Sequence, residues 1–174
     1  EVKKFFYDNT FHHQTRALIN FEGTDFTAMS KSIVDGTIVS PKFYLRLYEA
    51  EGNKELSTAY KLLVQPISQS WDEGRGKFED NPKVTNGVSW ENRENKPGSN
   101  PVTWSRVHAD GSDVRLHGCN FMTASGFIGG ASQSFSYQSP DIEMNVTDIV
   151  NKWLDGTRQN EGIIVKWSGS QEDS

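Results

Sequence analysis

The chain contains a single cysteine, Cys119, among its 174 residues. No internal disulfide can form, so the fold does not rely on oxidation, and the expected compartment of synthesis is reducing. Positive charge is not in excess: 18 Lys and Arg stand against 23 Asp and Glu, a formal net charge of -5. Phosphate backbones are held by a basic footprint, so nucleic acid is not an expected partner. No run of five like charges occurs, which excludes a polyelectrolyte tail. No apolar stretch approaches the length of a membrane-spanning helix, and the mean hydropathy of -0.65 agrees. The sequence opens Glu1-Val2-Lys3-Lys4, without Met and without the apolar stretch of a signal peptide, which reads as a processed chain or a segment of a longer one.

What is present is a series of short strand patterns. In RALINFE (16–22), Ala17, Ile19 and Phe21 fall on one side and Arg16, Leu18, Asn20 and Glu22 on the other. In FYLRLYEA (43–50), Phe43, Leu45 and Leu47 oppose Tyr44, Arg46 and Tyr48. This period of two is that of a half-buried strand. KLLVQPI (61–67) is β-rich, and Pro66 marks an edge strand or a strand end. IEMNV (142–146) places Ile142, Met144 and Val146 together, and GIIVKWS (162–168) opposes Ile163, Val165 and Trp167 to Ile164 and Lys166. VTWSRV (102–107), ASGFIG (124–129) and SFSYQS (134–139) are further strand candidates.

One segment has helical spacing, VTDIVNKWLDG (146–156). Ile149 with Trp153 and Val150 with Leu154 make an apolar face at i, i+4. Thr147 is the expected N-cap, Asp148 suits the positive helix end, and Gly156 stands at the expected C′ position. SKSIV (30–34) predicts no more than a turn of helix. A polar stretch rich in Gly and Pro runs from about Ser70 to Pro101 and predicts an ordered loop insertion. Many short strands with Gly- and Pro-rich connections predict an all-β fold: a single antiparallel β-sandwich over residues 1–174, jelly-roll-like, with one short α-helix.

The order of these features carries a resemblance. An Arg-led strand, RALINFE, is followed by LLVQPISQSWDEG, by GVSWENR, by IEMNVTDIVNKWLDG and by NEGIIVKWSGSQE. The chain resembles the DNRLRE-type β-sandwich modules, the group related to carbohydrate-binding module family 96, over most of residues 15–168. The matching positions are Arg16, Leu18, Phe21, Trp71, Glu73, Val88, Ser89, Trp90, Val146, Thr147, Val150, Trp153, Gly156, Gly162, Ile163 and Val165. EVKKFFYDNTFHH is a poor version of the family's early strand, and the family's closing strand does not follow Trp167 before the sequence stops. The resemblance therefore implies a segment of a larger protein with terminal strands missing. The wording of this copy, SWDEGRGKFED with TNGVSW and VNKWLDG with NEGIIVKWSGSQED, resembles the versions in structural proteins of tailed-phage virions.

The resemblance assigns framework packing to Trp71, Trp90 and Trp153 and a strand-starting role, paired with an acid, to Arg16. Trp104, with Tyr44 and Tyr48 on the second side of their strand, remains the candidate for stacking a sugar. In SWDEGRGKFED, Asp72, Glu73 and Asp80 are the candidate ligands for a cation, calcium by their oxygen chemistry, although EF-hand spacing is absent. Carboxylate pairs are inevitable among 23 acids, and no motif isolates a pair for glycoside cleavage. His12 and His13 are adjacent and would face opposite sides of a strand. His117 and Cys119 share a side but lack a second ligand pair for zinc. No G-x-S-x-G elbow occurs, and the Gly-rich FIGG (127–130) lacks the phosphate-binding Lys.

The expectation is a non-catalytic structural or adhesion module of a bacteriophage virion, without a cofactor. Its expected partners are other virion proteins or copies of itself. The alternative is a secreted carbohydrate-binding module that meets polysaccharide or a cell-surface glycan.

Overall fold

The computed structural model describes residues 4–7, 10–48, 59–77, 79–105, 130–136 and 141–168. In chain order the elements are β1 (Lys4–Tyr7), β2 (Thr10–Gln14), β3 (Ala17–Ile19), α1 (Gly23–Val34), β4 (Tyr44–Leu47) and β5 (Ala59–Pro66). There follow β6 (Asn92–Glu94), β7 (Val102–Thr103), β8 (Ala131–Ser136), β9 (Ile142–Asn145), α2 (Thr147–Leu154) and β10 (Ile163–Trp167). Every strand pairing among them is antiparallel, as an all-β chain of this patterning predicts. The chain forms two compact units, Glu1–Pro66 with Thr123–Ser174, and Ile67–Met122.

In the first unit, β3, β10, β5 and β8 make a four-stranded sheet in that order, β4 pairs with β9, and β1 pairs with β2. The strand alternations hold residue by residue. Leu45 and Met144 are cross-strand partners, both buried, while Tyr44 and Arg46 of the same strand are exposed. β5 is an interior strand, flanked by β10 and β8, so Pro66 ends it rather than marking an edge. A proline there costs no ladder hydrogen bond further along the strand. β10 is covered on both sides: Ile163, Ile164 and Val165 are each at most 1% exposed. Each such side chain contributes about 2 kcal/mol by removal from water.

One hydrophobic cluster takes residues from both sheets and from α2. It contains Leu45, Leu62, Val64, Phe135, Met144, Ile149 and Val165, among others, with Ala17, Ile19, Phe21 and Trp167 packed against it. The apolar row of RALINFE thus faces this core. The side-chain amide of Gln133 on β8 joins the β4–β9 pair to the larger sheet. Its Oε1 accepts from the Glu143 N–H at 2.9 Å, and its Nε2 donates to the Asp141 carbonyl at 3.2 Å.

α2 buries the expected face, with Ile149 and Val150 inside and Gly156 in the left-handed region at φ 73°. Its start differs from expectation. Val146 is the N-cap, and Thr147 is the first helical residue. The Thr147 hydroxyl instead accepts a hydrogen bond from the Phe43 N–H at 2.9 Å, tying the helix start to the entry of β4. Asn145 takes the local role, its Oδ1 accepting from the Thr147 N–H at 3.0 Å.

α1 is longer than the single turn expected of SKSIV. Phe26, Met29, Ser30 and Ile33 form its half-buried side, and none of its residues is fully buried. The ring of Phe26 meets Trp153 of α2 edge-on at 5.5 Å and Phe21 at 6.2 Å, and Phe21 lies 6.0 Å from Trp153. These three rings anchor α1 beside α2. β1 and β2 add a strand pair in the stretch read as a poor early strand.

Candidate functional site

SWDEGRGKFED belongs to the second unit. SWDEG and TNGVSW cross one another. The Asp72 carbonyl accepts from the Val88 N–H at 2.7 Å, and the Asp72 N–H donates to the Arg93 carbonyl at 3.0 Å. Gly87 donates to the Asn95 carbonyl at 2.8 Å, and Ser89 to the Asn92 carbonyl at 2.7 Å. Three chain segments are therefore stitched side by side through their backbones. The crossing needs glycine on both sides. Gly74 and Gly87 have φ of 78° and 88°. A Cβ on Gly87 would overlap the backbone of Gly74, and one on Gly74 would overlap Asn86 and Gly87.

Side chains reinforce this unit. The Arg93 guanidinium donates to the Ser70 carbonyl at 2.9 Å and to its hydroxyl at 3.0 Å. Asn95 donates to the Thr85 carbonyl at 2.6 Å, and Asn86 accepts from the Arg75 N–H at 3.2 Å. Lys96 lies 3.0 Å from Glu94 and 3.9 Å from Asp72. The hydrogen bond and charge of Glu94, with a smaller contribution from Asp72, raise the Lys96 pKa above its ordinary value.

The expected cation ligands are not brought together. Asp80 caps a local turn, its Oδ2 accepting from the Lys77 N–H at 2.7 Å. Asp72 faces Lys96, and Glu73 is exposed. Among the described residues no group of three or more His, Cys, Asp or Glu is placed to hold a metal ion. The stretch is thus used for hydrogen-bonded turns.

The tryptophans divide differently from expectation. Trp71 is half-buried in the second unit. Trp90, expected as a packing element, is 38% exposed, at the reversal of chain between Ser89 and Asn92. Trp104, expected as a stacking surface, is only 7% exposed, and its Nε1 donates to the Ser89 carbonyl at 3.0 Å. Trp104 is therefore the interior indole of this unit and offers no face to a ligand. Trp153 packs between Phe21 and Phe26, as its place on the helix predicts. Arg16 is half-buried and engaged immediately before β3.

The other surface of interest is the outer side of β4 and β9, in the first unit. Tyr44 is 45% exposed and Tyr48 74%. Between them the Arg46 Nε lies 2.9 Å from the Glu143 carboxylate, with both side chains more than half exposed. The Glu143 N–H is already taken by Gln133, so Arg46 and Glu143 form a non-hydrogen-bonded pair, the type whose side chains approach most closely.

Compared with protein-family models, with curated proteins and with solved structures, the chain finds no match in any of the three. His108, His117 and Cys119 lie outside the described residues, as do ASGFIG and most of FIGG. His12 and His13 fall in β2, of whose side chains nothing is described.

Two residues gained roles that sequence reasoning missed. Lys166 is 5% exposed on the second side of β10, beside the fully buried Ile164. The alternation in GIIVKWS separates the two sides but does not reveal that both are covered. Gln133 bridges two strands through its amide, and no local pattern marks it. Asp155 is held charged at the end of α2: the Thr157 hydroxyl and N–H bonds lower its pKa, with the nearby Lys152 adding to the effect.

Proposed function

We propose that the chain is a non-catalytic β-sandwich module of jelly-roll type that serves as a structural or adhesion part of a bacteriophage virion. Its place would be a tail, neck, fibre or capsid decoration, and it works through protein–protein contacts with other virion proteins or with copies of itself. The observation that carries this reading is the division of labour among aromatic side chains. Trp104, Trp153, Tyr60 and Phe135 are spent on packing, the last two stacked at 4.8 Å. Tyr44 and Arg46 stand outward on β4, and Tyr48, just past its end, is exposed as well. Tyrosine and arginine are the residue types that protein interfaces favour. The resemblance to DNRLRE-type modules in their virion form supports the setting.

Mass spectrometry of purified phage particles, followed by a particle image that locates the chain, tests this reading. Detection at a stoichiometry fixed by particle symmetry is expected. Absence from purified particles overturns it, as does measurable turnover that is lost on changing one acid.

The same two tyrosines favour one second reading, carbohydrate binding by a secreted module. Tyr48 follows the last residue of β4, and continued strand spacing over four positions would set the two rings about 13 Å apart. Exposed rings can cover the apolar faces of sugar units. Selective binding on a glycan array that is lost in Tyr44→Ala and Tyr48→Ala would establish it in place of the first.

A further inference from the structure

The outer face of the β4–β9 pair carries two matched rows. One row is Tyr44 and Arg46, with Tyr48 just beyond the strand end; the register sets Asn145 against Tyr44 and Glu143 against Arg46. The opposite face of the pair is spent on the core through Leu45 and Met144. Tyr44, Arg46, Tyr48, Glu143 and Asn145 are all exposed. The rows differ in chemistry: one offers guanidinium and phenol donors, the other the Glu143 carboxylate beside the Asn145 amide, whose Oδ1 also accepts from the Thr147 N–H.

We propose that this face is a contact between two copies of this chain, related by a two-fold axis parallel to β4 and β9 and midway between them. The inference rests on the reading of the chain as a protein-contact module and names the partner. The register itself makes the argument. A half-turn about that axis lays the donor row of one copy over the acceptor row of the other, with positions along the strand unchanged. Arg46 then faces the second copy's acid at position 143, and Tyr44 its amide at 145. At the usual face-to-face spacing of sheets, about 10 Å, side chains from both copies interdigitate. The Arg46–Glu143 pair becomes half of a closed ring of four alternating charges. A face of only acids or only bases would repel its own copy, whereas this one is complementary to itself. Two short strands bury little area, so the contact is weak for free copies and effective when copies are arrayed on one assembly.

The test is a charge swap read by sedimentation velocity on the intact chain at up to about 1 mM, the concentration range of weak contacts. Wild type is expected to self-associate. Arg46→Glu leaves acids on both rows and Glu143→Arg leaves bases on both, so each variant alone should weaken association by about tenfold or more. An equimolar mixture of the two variants should form a heterodimer, and the double variant R46E/E143R should restore self-association. Recovery in the mixture cannot come from a folding defect, and unchanged melting temperatures of the single variants would confirm that both fold. Wild type that stays monomeric throughout, variants that associate as wild type does, or a mixture that fails to recover would each overturn the proposal. Loss of glycan binding in Tyr44→Ala with no response to charge reversal would assign the face to sugar instead. A chain found in particles but indifferent to the swap would sink this contact and leave the virion role standing.

Discussion

Replacing Gly87 by alanine tests the crossing at the centre of the second unit. Two costs can be read from the structure. Gly87 has φ 88°, where an L side chain costs about 1–2 kcal/mol. The added Cβ would also overlap the Gly74 Cα and N, which are backbone atoms and cannot rotate away. Overpacking of that kind costs about 1–3 kcal/mol. The sum is about 2–5 kcal/mol, a large fraction of the stability of a small unit. Gly98 supplies the control. Its φ is 81°, and a Cβ there meets nothing within 4 Å. Gly98→Ala should therefore carry the first cost alone. Hydrogen-exchange mass spectrometry of peptides within 70–105, with urea unfolding followed by tryptophan fluorescence, measures both. Gly74→Ala should behave as Gly87→Ala does. Equal or smaller destabilisation by Gly87→Ala than by Gly98→Ala would refute the close-approach argument.

Thr147→Val keeps the shape of the side chain and removes the acceptor for the Phe43 N–H; a loss of about 1–2 kcal/mol in urea unfolding is expected, with an unchanged β4 taken to contradict it. Gln133→Leu removes both bridging hydrogen bonds between β8 and β9 and should cost about 2 kcal/mol, with faster amide exchange at Glu143 in NMR spectra as its signature. Trp153→Ala opens the Phe21–Phe26–Trp153 group and should cost about 3 kcal/mol, read as a lowered urea midpoint together with loss of α1 helicity. Asp155 has a folded pKa below its unfolded value near 3.9, so its contribution is complete above that value and is lost as pH falls through the folded one. Melting temperatures of wild type and Asp155→Asn should differ at neutral pH and converge in acid; a gap independent of pH would contradict this.

Strands were legible where one side alone meets the core. RALINFE and FYLRLYEA show this, since their apolar rows are the ones packed inside. α1 escaped notice for a physical reason. Gly23, Thr24, Thr27, Ser30 and Ser32 are weak helix formers, and its apolar residues are half-buried (Phe26, Met29, Ile33) or exposed (Ala28, Val34), so neither propensity nor periodicity is strong. Its spacing of Phe26, Met29 and Ile33 was the available signal. Within the second unit, the exchange of roles between Trp90 and Trp104 was invisible because that unit is held by backbone and amide hydrogen bonds. Such bonds leave no apolar rhythm, and the polar composition of 70–101 reads the same for a built turn as for a loose one. The outward placement of Tyr44 and Tyr48 was readable from alternation, but the strand that pairs with them comes from 142–145, and only the fold supplies Glu143 as the neighbour of Arg46.

The antiparallel pairing of β5 with β8 sets Val64 against Ala131. Val64 and Ala131 thus lie side by side on neighbouring strands, although 66 residues of sequence separate them. A two-residue type I′ turn in place of residues 65–130 would close the same β5–β8 ladder. That makes the position a natural graft point: the sheet tolerates cargo of very different size there, because the ends of any replacement need only lie a strand's width apart.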